Sequence, residues 1–503
     1  MFAKSSPRKG IALLIACAAQ FMVVLDIAIV NVALPSIQRD LGVGQDGLQW
    51  IVIAYGLTLG GFLLLGGRLA DLLGRRRVLV TGLVVFSAAS LLAGLAGSAG
   101  LLIGARAAQG LGAALLPPAA LSILAVTFTE GAGRNRALGI YGAVTGVSAS
   151  VGVIASGLLT SGPGWRWIFF INVPIGVALI ALAAIALPAD ARGSRRGEHF
   201  DAAGSVTVTA GLLLLVYALN RGADSGWGSW PTLALFAVSA SLLSAFAAIE
   251  ARSRSPLVPG QAVRNRTLVA ANLSAFFIFA AVFSFIFLGS LLMQQVLGYS
   301  PTRTGIAWLA TTVTSFIAAA VTGAKLAAVA GVGRLLVAGL SLLAVSALLL
   351  TRIPAAGHYA TDLLPALLVA GLAGGLSAPA AQIGALSGVA PSLTGLASGL
   401  LETMREMGGA IGVAVVSTVL ISRAEDTASP AGPAARDLAA VNAFHAAYWV
   451  IFAVAALGAV TAAIAFRPHA RQAASPEPAL AHAPSAPGPA ESGADEQARS
   501  GRS

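Results

Sequence analysis

Five charged residues inside long apolar stretches are the first candidates for chemistry in this chain. They are three acidic and two basic residues: Asp26, Arg106, Glu402, Arg405 and Glu406. A charge at membrane depth costs at least roughly 2.5–3.5 kcal/mol, so each of them needs a partner or a function. Carboxylates in such a place can bind protons or cations, and an arginine beside one favours its ionised form. The set therefore points to the movement of protons or solutes across a membrane.

The composition places the whole chain in lipid. Of its 503 residues, 57% are hydrophobic and only 10% are charged, whereas soluble domains contain about 25% charged residues. A membrane-spanning helix needs about 20 predominantly apolar residues. By this criterion we predict fourteen spans, near residues 11–34, 48–70, 78–98, 101–127, 136–160, 167–187, 204–220, 232–250, 268–296, 303–327, 334–351, 362–387, 396–421 and 445–466.

The distribution of basic residues predicts the orientation in the membrane. With the N-terminus inside, the cytoplasmic loops and tails carry 22 Lys and Arg residues, and the external loops carry seven. Because Lys and Arg accumulate on the cytoplasmic side, we expect both termini to be cytoplasmic. The net charge of +11 is then explained by membrane orientation, and we expect no nucleic-acid partner.

Several kinds of site are not indicated by the sequence. Cys17 is the single cysteine, and the five histidines show no metal-ligand spacing, which argues against a disulfide, a zinc site or an iron–sulfur cluster. A phosphate-binding loop of the Walker type is absent from the sequence, and Ser, His and Asp residues are not arranged as in a hydrolase. We therefore expect a protein that is not an enzyme and that has no cofactor and no metal.

A faint internal repeat predicts the architecture. Residues 67–74 (Gly-Arg-Leu-Ala-Asp-Leu-Leu-Gly) end span 2, and residues 324–331 (Ala-Lys-Leu-Ala-Ala-Val-Ala-Gly) end span 10. This offset maps span 2 onto span 10, so we predict two six-helix halves with two helices inserted between them. The predicted domains are a cytoplasmic N-terminus (1–10), an N-terminal half (11–187), an insertion with its loops (188–266), a C-terminal half (267–468) and a disordered cytoplasmic tail (469–503).

Four motifs resemble signatures of the major facilitator superfamily. Residues 67–77 look like the signature of its loop between helices 2 and 3. Residues 25–35 (Leu-Asp-Ile-Ala-Ile-Val-Asn-Val-Ala-Leu-Pro) resemble the helix-1 motif of its fourteen-helix drug:proton antiporter branch, and residues 165–174 and 297–301 resemble further motifs of that branch. The resemblance implies an all-α polytopic membrane protein with the major facilitator fold, two six-helix halves plus two inserted helices.

The resemblance also implies roles for individual residues. Proton coupling would depend on Asp26 and Arg106, although an arginine so near a helix end can instead reach the membrane interface. The residues of a conformational latch on the cytoplasmic side would be Gly67, Asp71, Gly74 and Arg75. The alternative for this loop is that its charges only orient the protein in the bilayer.

Further polar residues are candidates for the substrate cavity. They are Asn31, Gln109, Glu402, Arg405 and Glu406. Glu402 and Glu406 are four residues apart and share a helix face, and Arg405 can neutralise Glu402. The alternative is an internally neutralised ridge that does not meet substrate.

Small residues in spans 5 and 13 predict close helix packing. They are Gly146, Gly152, Gly157, Gly408 and Gly412. The antiporter motif of span 5 has Gly-Pro followed shortly by Gly-Gly, and here Val153 and Ser156 replace the proline and the first paired glycine. This departure keeps an uptake symporter open as an alternative.

Together these features predict a secondary active transporter in the bacterial inner membrane. It would export small, hydrophobic or cationic drug-like molecules in exchange for protons, and its partners would be the substrate, protons and the bilayer. We expect it to function as a monomer. The alternatives are a dedicated exporter of one metabolite or antibiotic for self-resistance, an uptake symporter, or a scaffold without transport activity.

Overall fold

The computed structural model describes residues 7–188, 201–253, 256–354, 357–426 and 433–466. Every regular element in these ranges is a helix. The predicted disordered tail (469–503) and most of the linker before span 7 lie outside the described residues.

Fourteen long helices correspond one to one to the predicted spans. They are α1 (Pro7–Leu41), α2 (Gln45–Leu73), α3 (Arg75–Gly94), α4 (Ala99–Thr127), α5 (Ala132–Ser161), α6 (Trp167–Ala186), α7 (Ala202–Ser225), α8 (Trp230–Arg252), α9 (Arg266–Val296), α10 (Pro301–Val321), α11 (Val332–Leu350), α12 (Tyr359–Leu386), α13 (Thr394–Asp426) and α14 (Pro433–Ala465). Within the described ranges, thirteen helices are long and apolar enough to cross a membrane, and the remaining predicted span is α5, whose 30 residues are helical.

The turns after α2 and before α11 share a backbone feature. Gly74 separates α2 from α3 with a φ of 102°, and Gly331 precedes α11 with a φ of 78°. Positive φ angles favour glycine because a Cβ atom would be strained there. Both glycines end the two repeated segments, so the repeat preserves a turn and not only a composition.

Packing joins helices within each half. In the N-terminal half, α4 packs against α2 and α3, and α1 packs against α5. In the C-terminal half, α9 packs against α13, and α11 packs against α12 and α14. The two halves meet where α2 packs against α13 and where α5 packs against α10. These two seams enclose the centre of the bundle.

The inserted pair lies beside one of these seams. Helix α7 packs against its neighbour α8 and also contacts α2 and α13. It therefore contacts both halves, on the side of the bundle where α2 meets α13. Large exposed apolar side chains such as Ile185, Trp230 and Leu158 lie on the outer faces of the bundle, as expected for helices surrounded by lipid.

Candidate functional site

A cavity of about 550 Å³ lies between the two halves. Helices α1, α2, α4 and α5 line it from one side, and α9, α10, α12 and α13 line it from the other. Its wall is mostly apolar, with a small set of polar side chains: Asn31, Tyr55, Arg106, Thr145, Ser315, Gln382, Arg405 and Glu406. Cavities of this size and composition suit drug-sized organic molecules.

Asp26 and Arg106 form a buried ion pair in the N-terminal half. The Arg106 Nη1 donates to the Asp26 carboxylate, and the two residues are 0% and 2% exposed. The Arg106 Nε also donates to the Ile51 carbonyl at 3.2 Å, and its guanidinium lies 4.2 Å from the centre of the Tyr55 ring. Arg106 therefore does not reach the membrane interface, and its partner is the carboxylate that the sequence suggested.

Gln109 completes the coordination of this ion pair. Its Oε1 accepts from Arg106 at 2.8 Å, and its Nε2 donates to Asp26 and to the Ser90 hydroxyl, both at 2.7 Å. The Asn172 side chain donates to Asp26 at 3.2 Å. The network around this carboxylate thus joins four helices, α1, α3, α4 and α6.

Asp26 and Arg106, which the sequence assigned together to proton coupling, differ in their access to the cavity. Arg106 lies both in the network and on the cavity wall, whereas Asp26 and Gln109 are fully buried behind it. The prediction that Gln109 lines the substrate cavity therefore does not agree with its position. Ser90 and Asn172 escaped the sequence reasoning, although Asn172 belongs to the motif at residues 165–174.

The second charge network lies on α13 in the C-terminal half. The Arg405 Nη1 donates to Glu402 at 3.0 Å, and its Nε lies 3.7 Å from Glu406. The Arg405 guanidinium also lies 5.0 Å from the centre of the Phe279 ring. Glu402 is 2% exposed and is not part of the cavity wall, whereas Arg405 and Glu406 line the cavity. Only Glu406 of the two predicted carboxylates therefore faces the space where a substrate fits.

Asp71 joins the halves at one end of the bundle, which we name the junction end because α2 gives way to α3 there. Its two carboxylate oxygens accept from the backbone N–H groups of Gly395 at 2.9 Å and Leu396 at 2.8 Å. These groups lie in the first turn of α13, where N–H groups have no partner within the helix. A negative charge is also favoured at a helix N-terminus, so a side chain of one half caps a helix of the other.

Arg75 makes a second set of contacts at the junction end. It donates to the Pro391 carbonyl of the C-terminal half and, at 2.8 Å, to the Ser122 hydroxyl of α4. Its separation from Asp71 is 3.9 Å, so the two residues also attract each other. The predicted latch residues Asp71 and Arg75 therefore both contact the opposite half.

Gly67 and Gly74 have distinct roles in this arrangement. A Cβ atom on Gly67 would lie 2.9 Å from the Cα of Gly399, so glycine permits the backbones of α2 and α13 to approach. Gly74 instead provides the positive φ of the turn. The first glycine controls helix distance and the second controls chain direction.

A further polar contact at the junction end was not predicted. The Glu130 carboxylate accepts from Arg134 at 2.6 Å and from the Gly388 N–H at 3.2 Å, and Arg134 donates to the Leu386 carbonyl at 3.1 Å. Hydrogen bonds from Arg134 and Gly388 lower the pKa of Glu130. A carboxyl with a lowered pKa keeps its contribution above the ordinary glutamate range and loses it only on acidification, so this contact persists at neutral pH.

The glycines predicted to pack between helices differ in how closely a neighbouring helix approaches them. Gly152 faces α1, because a Cβ atom there would lie 3.1 Å from the Leu25 carbonyl oxygen. Gly408 and Gly412 face α9, where added Cβ atoms would lie 3.0 Å from the Phe276 Cα and 2.7 Å from the Ala280 Cα. A Cβ atom on Gly157 would meet no described atom within 4 Å, so close packing at this glycine stays a prediction. The surroundings of Gly146 lie outside the description.

At the opposite end of the bundle, an ion pair is confined to the N-terminal half. Arg166 donates to Asp40 at 2.6 Å, and the Trp165 Nε1 donates to the same oxygen at 3.0 Å. Hydrogen bonds from Arg166 and Trp165 lower the pKa of Asp40. This pair braces the loops of one half, and it does not join the two halves.

Comparison with known families agrees with this geometry. Residues 16–413 match the sequence profile of the Major Facilitator Superfamily. The chain therefore belongs to the major facilitator superfamily, and it is a multi-pass membrane transporter and not an enzyme. The predicted family and fold class are confirmed.

Particular relatives narrow the comparison. The chain is 38% identical over 387 residues to the puromycin resistance protein pur8 of Streptomyces alboniger, covering 76% of each chain. It is 40% identical over 299 residues to the cephamycin export protein CmcT of Amycolatopsis lactamdurans, covering 59% of this chain and 62% of that protein. It is 36% identical to the multidrug transporter protein MdtP of Bacillus subtilis, covering 57% of this chain and 52% of that one.

A solved structure shares the fold. The human organic anion transporter MFSD10 superposes with a TM-score of 0.65 at 15% sequence identity, covering 90% of this chain and 100% of that chain. At this identity, the likeness concerns the arrangement of helices alone.

Proposed function

We propose that this transporter exports small hydrophobic or cationic drug-like molecules across the bacterial inner membrane in exchange for protons. The observation that carries the proposal is the apolar cavity between the halves, with the Glu406 carboxylate on its wall. An apolar wall binds an organic molecule without strict shape requirements. With its glutamates ionised, the triad of Glu402, Arg405 and Glu406 has one net negative charge, which favours a positive charge in the cavity. The names of two relatives above, which refer to puromycin resistance and cephamycin export, support the direction of transport, and the third name refers to multidrug transport.

Proton coupling in this proposal depends on the Asp26–Arg106 pair. Arg106 lies on the cavity wall and contacts the Asp26 carboxylate behind it. Protonation of Asp26 removes the charge that holds the guanidinium, and Arg106 then presents its positive charge to the cavity. A cationic substrate beside it is repelled, so proton binding promotes substrate release.

Alternating access in this proposal uses the contacts at the junction end. Asp71, Arg75 and Glu130 hold the halves together there. Rocking of the halves about the central cavity must break these contacts and re-form them in each cycle. With the junction end and both termini in the cytoplasm, these contacts close the cytoplasmic side, and we propose that the monomer is the functional unit.

An efflux assay tests the proposal. Cells lacking their own exporters are loaded with a panel of fluorescent cationic and neutral compounds, with and without a protonophore. We expect faster efflux in cells that produce the transporter, and loss of the difference when the proton gradient is dissipated. Efflux that persists with the protonophore contradicts proton coupling, and accumulation above the control contradicts export.

A dedicated antibiotic exporter is the second candidate. It is supported by the two relatives whose names specify one compound each, puromycin and cephamycin. The same panel separates the candidates when it includes aminonucleoside and β-lactam antibiotics. Resistance to one antibiotic class without efflux of the dyes favours the dedicated exporter.

A further inference from the structure

A second cavity, of about 410 Å³, lies beneath the inserted helix α7. Helices α2, α7, α9 and α13 line it, and its wall is apolar apart from a few residues. We name it the side cavity. The residues that line it but not the central cavity include Val216, Asn220, Met407, Ala410 and Ser417.

The side cavity adjoins the central cavity and shares one wall with it. The residues common to both linings are Val52, Gly56, Phe283, Phe287 and Glu406. Glu406 is the one carboxylate in this set, so a single negative charge faces both spaces. A ligand whose positive group lies at Glu406 can therefore extend an apolar group into either cavity.

The partition between the cavities is an aromatic side chain that rests on a glycine. A Cβ atom on Gly409 would collide with the Phe283 ring, so glycine at this position lets the ring lie against α13. Phe283 also meets Phe279 edge to face, with 5.6 Å between ring centres. Phe283 is a single, partly buried side chain, so a change of its rotamer alters the division between the cavities without movement of a helix.

The outer wall of the side cavity is fastened to both halves. Tyr217 of α7 packs on Trp50 of α2 with 5.7 Å between ring centres. The Trp227 Nε1, in the turn between α7 and α8, donates to the Thr418 hydroxyl of α13 at 2.5 Å. The inserted pair is thus held across the seam between α2 and α13, where α7 forms one wall of the side cavity.

We propose that the side cavity is a second lobe of the substrate site, which receives the apolar tail of an elongated amphiphilic cation. The inference rests on the proposed function, because it takes the central cavity as the binding site of cationic substrates. The charged head of the ligand lies at Glu406, a compact apolar group fills the central cavity, and a long tail passes Phe283 into the side cavity. A compact cation uses the central cavity alone.

A tail-length series tests this arrangement with one constant head group. Methyltriphenylphosphonium and decyltriphenylphosphonium are measured by competition against a labelled compact cation on the purified transporter in nanodiscs of fixed lipid composition. Ala410→Leu fills the side cavity, and the matched Ala378→Leu fills the central cavity, which alone includes Ala378. Ser417→Leu narrows the side cavity at a second position. Comparison between variants cancels the partition of the decyl tail into lipid.

We expect Ala410→Leu and Ser417→Leu to weaken binding of the decyl compound by at least about tenfold, because each buried methylene contributes roughly fourfold to affinity. Their affinity for the methyl compound stays unchanged, which also shows that they fold. Ala378→Leu weakens binding of both compounds. Equal effects of Ala410→Leu on the two compounds, or no effect on either, overturn the side-cavity proposal while the proposed function stands. If the wild type binds neither compound, the proposed cation site is wrong, and this inference falls with it.

Discussion

Asp26 and Glu406 are both carboxylates at membrane depth, and their surroundings differ in a way that separates their proposed roles. Asp26 is fully buried and accepts hydrogen bonds from Arg106, Gln109 and Asn172. Glu406 is 22% exposed in its side chain and lies on the wall of two cavities. A coordinated carboxylate suits a proton exchanged with a fixed partner, and an accessible one suits a ligand whose structure varies.

Asp26→Asn tests the proton site. We expect substrate-driven proton release from vesicles to fall at least about tenfold, since the asparagine amide does not take up a proton near neutral pH. The variant should fold, because Arg106 retains the Gln109 oxygen and the Ile51 carbonyl as acceptors at 2.8 and 3.2 Å. Substrate binding measured in detergent serves as the control. Proton release equal to that of the wild type would assign the coupling to Glu402 or Glu406 instead.

Glu406→Gln and Glu402→Gln form a matched pair, since the same change is made one helical turn apart. We expect Glu406→Gln to weaken binding of cationic compounds about tenfold and to leave neutral compounds unaffected, because an exposed charge pair at cavity depth is worth about 1 kcal/mol or somewhat more. Glu402→Gln changes cation binding less, since Glu402 does not reach the cavity. Binding assays at constant pH measure both. A larger effect of Glu402→Gln would contradict the assignment of Glu406.

The sequence predicts the partners of the buried charges better than it predicts which of these side chains face the cavity. So few charges lie at membrane depth that Asp26 and Arg106 could be paired in advance. The orientation of Gln109 and Glu402 depends on the rotation of α4 and α13 about their axes, and neighbouring helices set that rotation. A single sequence therefore identified the charged residues of the site but not which of them line the cavity.

At the scale of elements, the latch depends on the N-terminus of α13 and not only on a charge pair. Asp71 satisfies two N–H groups of the helix, and Gly67 permits the approach that brings them within reach. The attraction between Asp71 and Arg75, which are 3.9 Å apart, is the weaker part of the contact. The contact of Glu130 with Gly388 spans 258 residues, and no local pattern indicates it.

Asp71→Asn tests the latch. Asn can still accept a hydrogen bond from α13, but it lacks the charge favoured at a helix N-terminus, so we expect the junction end to open more often. Modification of Leu63→Cys, a buried position beside Gly399, is measured in a Cys17→Ala background. We expect it to be labelled several-fold faster in the Asp71→Asn variant, for a loss of about 1 kcal/mol.

Asp40→Asn is the matched control for the latch experiment. Asp40 also pairs with an arginine, but both partners belong to the N-terminal half. We expect this variant to leave the labelling of Leu63→Cys at the rate of the unmutated background. Equal labelling in Asp71→Asn and in that background would leave the Asp71 charge with an orienting role only.

At the scale of the whole molecule, the sequence predicted the number of helices and the internal repeat. Apolar length defines each span, and the glycine turns at Gly74 and Gly331 preserve the repeat. The position of the inserted pair across the α2–α13 seam could not be predicted, because apolar helices that face lipid carry little information about their neighbours. The side cavity is a consequence of that position.

The orientation of the molecule has its own test. Because 22 of the Lys and Arg residues lie on one predicted side and seven on the other, we expect reporters inserted near Gly197 and after residue 470 to be cytoplasmic. Alkaline phosphatase and green fluorescent protein fusions at both positions measure this. Phosphatase activity at either position would contradict the orientation or the number of spans between them.

In the proposed proton exchange, the charge network on α13 also determines how the membrane voltage acts on the transport cycle. With Glu402 and Glu406 ionised, the triad with Arg405 carries one net negative charge, and the Asp26–Arg106 pair carries none. An empty, unprotonated carrier then moves a negative charge inward on its return. An inside-negative potential opposes this movement by about 2.3 kcal/mol per elementary charge for each 100 mV. A carrier that has bound a proton returns without this cost, so the voltage itself suppresses an unproductive return.

Exchange of one monovalent cation for one proton is electrically silent, whereas exchange of a neutral compound for a proton carries one positive charge inward. We therefore expect an imposed potential to accelerate export of neutral compounds from proteoliposomes and to leave export of monovalent cations unchanged.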